Sequence, residues 1–183
     1  MRIISGAARG KTISAPKGIK TRPTIERVRE AIFSVLSPYL AGAVVLDAFA
    51  GSGALGLEAL SRGAERAVFC DMDHQALSVI RKNIAACGFQ DKADIYAGDS
   101  LQSISRLSGF DLVLLDPPYN RGLIARLEPL LLKEDFLRSE ALVMLETSAK
   151  QPELFLSDNW QLYKNKVYGD TAVYYFGLKQ YGD

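Results

Sequence analysis

Val44-Val45-Leu46-Asp47-Ala48-Phe49-Ala50-Gly51-Ser52-Gly53-Ala54-Leu55-Gly56 is the stretch that decides the fold. A short apolar run ends on a carboxylate, a glycine-rich turn follows, and a helical pattern starts inside the turn. Glycines spaced as G-x-G-x-x-G allow a tight turn, a close backbone approach to a ligand, and a helix packed against a strand. Working outward, Arg66–Cys70, Ala93–Ala97, Asp111–Leu115 and Ala141–Leu145 read as further strands. Helical patterns alternate with them. One runs from about Gly53 to Arg62 and stops at Gly63. A second is capped by Asp73 and ends near Cys87, with Gly88 just beyond. A third breaks near Pro129. The unbroken run Leu112-Val113-Leu114-Leu115 suits a strand buried on both faces, so the class is α/β with a parallel sheet. Trp160–Tyr168 and Ala172–Phe176 flank Gly169-Asp170 and read as an antiparallel hairpin at the end of that sheet.

Upstream of the quoted stretch, residues 1–20 contain Gly6, Gly10, Pro16 and Gly18 and read as a short hairpin and loop. Pro23-Thr24 opens a helix with Thr24 as N-cap. Ile25, Val28, Ile32, Val35 and Leu36 form its apolar stripe, and Arg29 sits at the stripe's edge. Residues 1–29 hold eight Lys and Arg against the single acid Glu26, a net of +7. The whole chain is +1, so the remaining 154 residues carry −6. A basic arm on a mildly acidic body suggests contact with a polyanion, or else a solvated tail. The expected organisation is a basic hairpin arm over residues 1–23 and one compact domain over 24–183.

A chain of 183 residues, 48% hydrophobic and 23% charged, is ordinary for one globular domain and excludes disorder as the main state. No stretch approaches the ~20 apolar residues that span a bilayer. The start MRIISGAARGK has no apolar segment of the signal-peptide kind, so a cytoplasmic protein is expected. Cys70 and Cys87 read as inert thiols. His74 has no partner at metal-ligand spacing, so no metal is expected.

Asp71 lies twenty residues after Gly51, at the end of the second strand, where an acid can accept ribose hydroxyls. Taken alone this is the nicotinamide-dinucleotide pattern, and an oxidoreductase is one reading. Asp47 argues against it, because a carboxylate beside the turn repels a pyrophosphate and attracts an ammonium group. S-adenosylmethionine carries an ammonium, a sulfonium, a ribose and an adenine, but no phosphate. Asp47, Phe49, Gly51 and Gly53 are therefore candidates for its amino-acid end. Asp71 suits the ribose, and Met72 offers an apolar face to adenine. Asp99 and Ser100 close the third strand, with Asp99 as adenine-amine acceptor, helix cap, or both.

Asp116-Pro117-Pro118-Tyr119 follows the fourth strand directly. Two prolines stiffen an extended backbone and remove its N–H donors. A carboxylate, carbonyls and one aromatic ring remain, which suits a planar base with an exocyclic amine. Tyr119 can stack on the base, while Asp116 and the Pro117 carbonyl each accept an amine N–H. Positioning alone can then supply up to ~7–11 kcal/mol.

These two motifs together resemble the amino methyltransferases of nucleic-acid bases. Arg2-Ile3-Ile4-Ser5-Gly6, Arg9-Gly10-Lys11 and Arg22-Pro23-Thr24, leading into Arg27-Val28-Arg29-Glu30-Ala31-Ile32-Phe33, resemble the RsmD family, bacterial 16S ribosomal RNA guanine-N2 methyltransferases. The similarity runs from residue 1 to about 176. It implies a Rossmann-like class I methyltransferase fold, seven strands ending in the antiparallel hairpin. It implies S-adenosylmethionine as donor and S-adenosylhomocysteine as product. It implies guanine 966 of the small-subunit RNA as target. Apart from the resemblance, a monomer without membrane association is expected. Asp71 departs from the family, where glutamate is common, and its shorter arm still reaches a ribose. The arm then has a partner, with Arg9, Lys11, Arg22 and Arg27 as candidate phosphate contacts. Asp-Pro-Pro-Tyr alone leaves a DNA adenine-N6 methyltransferase open, and the basic arm leaves a non-enzymatic ribosome-assembly factor open.

Overall fold

The computed structural model describes residues 1–16, 23–119 and 121–179. Seven strands form one sheet: β1 (Val44–Asp47), β2 (Arg66–Asp71), β3 (Ala93–Ala97), β4 (Phe110–Leu115), β5 (Leu137–Ser148), β6 (Trp160–Tyr168) and β7 (Thr171–Leu178). Their order is β3-β2-β1-β4-β5-β7-β6. The first five run parallel, and β7 is antiparallel to both β5 and β6. Parallel neighbours need helical crossovers, and these cover both faces. On one face α1 (Pro23–Leu36), α2 (Ala54–Ser61) and α3 (His74–Cys87) pack over Val45, Phe69, Leu112, Leu114 and Met144. On the other, α4 (Ser100–Ile104) and α5 (Leu123–Leu131) cover Leu46, Cys70, Val113, Leu115 and Leu145. Adjacent residues of β4 thus enter opposite cores, which is why its sequence is apolar without a break.

The crossing from β1 into α2 depends on two glycines. Gly53 caps α2 with φ +76°, a left-handed conformation costly for other residues. A Cβ on Gly56 would come within 2.3 Å of the Phe69 ring, so this helix lies on β2 at a distance only glycine permits.

Three expectations need correction. Thr24 lies inside α1, because Pro23 already begins that helix. Pro129 does not break α5; it falls near the end, and only the last two helical residues follow it. The cost of a mid-helix proline is confined there to one lost backbone bond. β5 is longer than its apolar run. Its polar start pairs with β4 across an irregularity between Phe110 and Leu112, and its end pairs with β7.

The N-terminal residues are fastened to the sheet's helical layer. Arg2 bridges Thr12 antiparallel, and Ile3, Ala8 and Ile13 are buried. Fully burying each isoleucine is worth about 1.5–3 kcal/mol. Glu58 of α2, wholly buried, accepts the N–H of Ile4 (2.8 Å) and Ser5 (3.0 Å) and pairs with Arg62 at 2.7 Å. Arg29, expected at the edge of the α1 stripe, is instead buried and donates to the Arg2 carbonyl.

Candidate active site at the carboxyl edge of the sheet

Ligands of open parallel sheets sit beyond the carboxyl ends of the strands, where crossovers leave in opposite directions. Here that point lies between β1 and β4, since β1 leads to α2 on one face while β4 leads to α5 on the other. Five carboxylates mark the carboxyl edge: Asp99 after β3, Asp71 on β2, Asp47 on β1, Asp116 after β4 and Glu146 on β5. Two cavities open among them. One, of about 730 Å³, is lined by Asp71, Met72, Asp99, Pro117, Pro118, Tyr119, Arg121 and Arg126. The other, of about 270 Å³, reaches beneath α1 and is lined by Val28, Ile32, Asp47, Glu146, Tyr168 and Thr171 among others. Phe49, Gly51 and Asp116 line both, so the cavities meet at the glycine turn and the fourth strand.

The chain's own backbone engages three of these acids. Asp47, 1% exposed, accepts the Gly56 N–H at 2.9 Å. Burial pushes its carboxyl up to about 7; the Gly56 bond opposes this, while the charges of Asp116 and Asp71 add to it. Asp71 accepts Gly51 N–H at 2.7 Å on one oxygen and Asp73 N–H at 2.8 Å on the other. Each oxygen keeps a lone pair for a further donor. Asp99 caps α4 by accepting Leu101 N–H at 2.8 Å, and Ser100 is the first residue of that helix. Met72 is 70% exposed beside them, an apolar side chain in the open larger cavity.

The other two acids differ. Asp116 has no hydrogen-bond partner among the described residues. It is open to solvent within the crevice, and the surrounding walls raise its carboxyl. Glu146 is half-buried and accepts the Tyr119 hydroxyl at 3.3 Å. Burial, then repulsion from Asp116, raises it, and the Tyr119 bond opposes both. Burial and the Glu146 charge push the Tyr119 hydroxyl up to about 12, so it stays protonated and donates. The Tyr119 ring is 39% exposed and faces the larger cavity. Pro117 is buried and Pro118 exposed, a rigid corner that carries Asp116 and Tyr119 together.

The basic candidates are dispersed. Arg9 and Lys11 are exposed on the hairpin turn. Neighbouring Ala7 and Ala8 bond to Ser61, the last residue of α2, and Lys11 lies near Cys87, the last of α3. Both helices begin at the crevice, so these two cations stand at the opposite end of the sheet. Arg27 is exposed next to Val28 of the smaller cavity. Arg22 lies outside the described residues. Among the described residues there is no group of three His, Cys, Asp or Glu that could hold a metal, and no helix long and apolar enough to cross a membrane.

Sequence reading missed Glu146, Arg121 and Arg126. Glu146 follows an apolar strand run as Asp47 and Asp116 do, and applying the same strand-end rule to β5 finds it. Arg121 and Arg126 carried no spacing signal; Arg121 lies two residues before α5 and Arg126 on it, and both line the crevice wall.

Against known proteins, a family model described as Conserved hypothetical protein 95 matches residues 1–177. Ribosomal RNA small subunit methyltransferase D of Escherichia coli is 34% identical over the whole chain and 92% of its own length. Its namesake in Haemophilus influenzae is 36% identical over 92% of this chain and 89% of its own. A solved E. coli structure, of a protein provisionally named methyltransferase YhhF, superposes with a TM-score of 0.85. It is 36% identical and covers 98% of each chain. The seven-stranded order is thus the class I methyltransferase arrangement.

Proposed function

The chain belongs to the RsmD family, and from that premise we propose that it transfers the methyl group of S-adenosylmethionine to the exocyclic N2 of a guanine in small-subunit ribosomal RNA. One observation carries the reading: Phe49, Gly51 and Asp116 line both cavities, so the glycine turn and the Asp-Pro-Pro-Tyr corner face one space. The names of the relatives support ribosomal RNA as acceptor. Guanine N2, and guanine 966 in particular, come from the resemblance.

The residues present fit the donor. It supplies a methyl group already activated on a cationic sulfur. Asp47 is a buried carboxylate with no countercharge paired to it among the described residues, and a ligand ammonium matches it. The only basic residue lining the smaller cavity among the described residues is Arg29, which is buried and turned to the Arg2 carbonyl. A pyrophosphate therefore meets carboxylates at the turn, and the oxidoreductase reading loses its support. The free lone pairs of Asp71 suit ribose hydroxyls, Met72 suits the adenine face, and the open oxygen of Asp99 suits the adenine amine.

At the other end, Asp116 and the Pro117 carbonyl accept the two N–H bonds of the base amine. This holds the nitrogen lone pair towards the methyl. With the donor bound, the N–C bond would form as the C–S bond breaks, the sulfur would leave as the neutral thioether S-adenosylhomocysteine, and positive charge would appear on the nitrogen beside Asp116. The proton would then pass to Asp116 and on to solvent, so no strong base is required. Tyr119 holds the base by its ring face, worth about 1–3 kcal/mol. A base reaches this corner only when unstacked, which favours an RNA loop. Arg121 and Arg126 at the wall, with Arg22 and Arg27, serve as phosphate contacts, and Arg9 and Lys11 do so for an RNA that also spans the helical face.

The test is a methyl-transfer assay with labelled donor. Its acceptors are small subunits from cells lacking the enzyme, naked ribosomal RNA and unmethylated DNA. The expected product is N2-methylguanosine in the subunit RNA. N6-methyladenine in DNA, with no RNA product, overturns the acceptor. Binding of a nicotinamide dinucleotide in preference to the donor overturns the site.

A further inference from the structure

Glu146 is the crevice carboxylate that donor binding and amine positioning leave unused. Its place follows from register. β4 and β5 pair Leu115 with Leu145, so Asp116 and Glu146 are the next residues on neighbouring strands, which lie ~4.8 Å apart. Both line the smaller cavity. Tyr119 occupies one Glu146 oxygen, and the other has no partner among the described residues. Asp47 lines the same cavity from β1, on the other side of β4 from Glu146, so the cavity presents different acids to different parts of whatever fills it.

We propose that Glu146 selects guanine by accepting the N1–H of the base whose N2 amine is held by Asp116. This rests on the proposed transfer to guanine N2. The chemistry of the base edge supports the assignment. Binding any exocyclic amine needs only the acceptors at Asp116 and Pro117, which adenine, cytosine and guanine satisfy alike. In guanine two ring nitrogens flank the amine-bearing carbon, and the one turned to Glu146 in this proposal, N1, carries a hydrogen. In adenine and cytosine the corresponding ring nitrogen is a bare acceptor. A second acceptor beside Asp116 complements guanine and opposes the others. Discrimination of this kind is strong, because the wrong base leaves buried polar groups unpaired. The Tyr119 hydroxyl donates to one Glu146 oxygen and leaves the other for the base, so one carboxylate joins the stacking ring to the base edge.

The experiment uses the full chain and reconstituted small subunits. The nucleotide methylated by the unaltered protein is mapped first by mass spectrometry. That position is then made either guanosine or 2-aminopurine riboside, which keeps the 2-amine but has an unprotonated N1. The unaltered protein should prefer guanosine by at least 100-fold in kcat/KM. Glu146→Gln still accepts the Tyr119 hydroxyl through its carbonyl and can donate to a bare N1. It should shrink the preference at least tenfold, with donor affinity unchanged.

A purely structural Glu146 lowers both rates together and keeps the ratio, and that result overturns the assignment. The unaltered protein also decides without any variant, since methylation of 2-aminopurine within threefold of guanosine overturns it equally. Absence of N2-methylguanosine from the guanosine arm refutes the acceptor reading itself and shows that the fault lies there.

Discussion

The two ends of the crevice are built from the same side-chain type and behave differently. At the donor end Asp47, Asp71 and Asp99 are each held by backbone N–H groups of their own chain, at 2.7–2.9 Å. At the acceptor end Asp116 has no such partner among the described residues, and Glu146 has one side-chain hydroxyl at 3.3 Å. Charged hydrogen bonds cost little reorganisation when the chain supplies them in advance. In the proposed assignment the donor end is therefore set before anything binds, and the acceptor end keeps its lone pairs for the substrate. A small invariant ligand can be met by a fixed template. A base swung out of a large RNA is better met by acceptors that gain their partners on arrival.

The sharpest way to break this comparison is Asp116→Ala. Methyl transfer should fall by about 10³-fold in kcat, the scale of losing a positioned acceptor in the transition state. Donor affinity measured by calorimetry should stay within about threefold. Equal losses in both would merge the two ends into one site.

Asp47→Asn tests the other end. Removing the charge while keeping an acceptor for Gly56 should raise the donor Kd roughly 10–150-fold, from about 1.5–3 kcal/mol for a charged bond. The rate at saturating donor should change little. The pH dependence sharpens the point. Asp47 titrates near 7 in the empty protein, and a cation favours its ionised form. Donor affinity should therefore fall as pH drops through 7, with proton release on binding. For folding the sign is the reverse. The unfolded side chain ionises near ~4. Between there and about 7 the folded state holds the extra proton, so this contribution to stability falls as pH rises across that window. The melting-temperature gain from saturating donor should grow from pH 5 to pH 8, and Asp47→Asn should flatten it.

Gly56→Ala strikes the frame of the donor end alone. The added Cβ meets Phe69 and displaces the N–H that Asp47 accepts. Overpacking of this kind costs about 1–3 kcal/mol, a fall of roughly 2–10 °C in Tm. Donor affinity should fall with it, while Glu146→Gln leaves affinity intact.

The smallest effect concerns RNA contacts. Arg121→Ala and Arg126→Ala should each lower the salt slope of RNA binding by roughly 0.7–0.9. Arg9→Ala with Lys11→Ala, at the far end of the sheet, should do the same only if the RNA spans the helical face. An unchanged slope there confines the footprint to the crevice.

Strand-end carboxylates were legible because each follows a short apolar run and starts a loop. This local pattern found Asp47, Asp71, Asp99 and Asp116, and stopped short of Glu146 only because β5 continues as polar sequence into its pairing with β7. The buried pair Arg29 and Glu58 was not legible. Arg29 read as lying at the edge of the α1 stripe and Glu58 carried no signal, because burial of Glu58 depends on N–H groups arriving from Ile4 and Ser5, more than fifty residues away. The basic arm shows the same division. Its charge is plain in the sequence, but the direction Arg9 and Lys11 face is set by where the hairpin docks on α2 and α3.

Sequence alone determined the alternation of strand and helix and the two turns proposed to face ligands, because these rest on periodicity and short-range backbone chemistry, and its motifs carried the resemblance to the family. Only the tertiary structure decided that the two turns share one space, that Glu146 stands beside Asp116, and which acids arrive already bonded. Those facts depend on strand order and register, which bring together residues up to about a hundred positions apart in the chain.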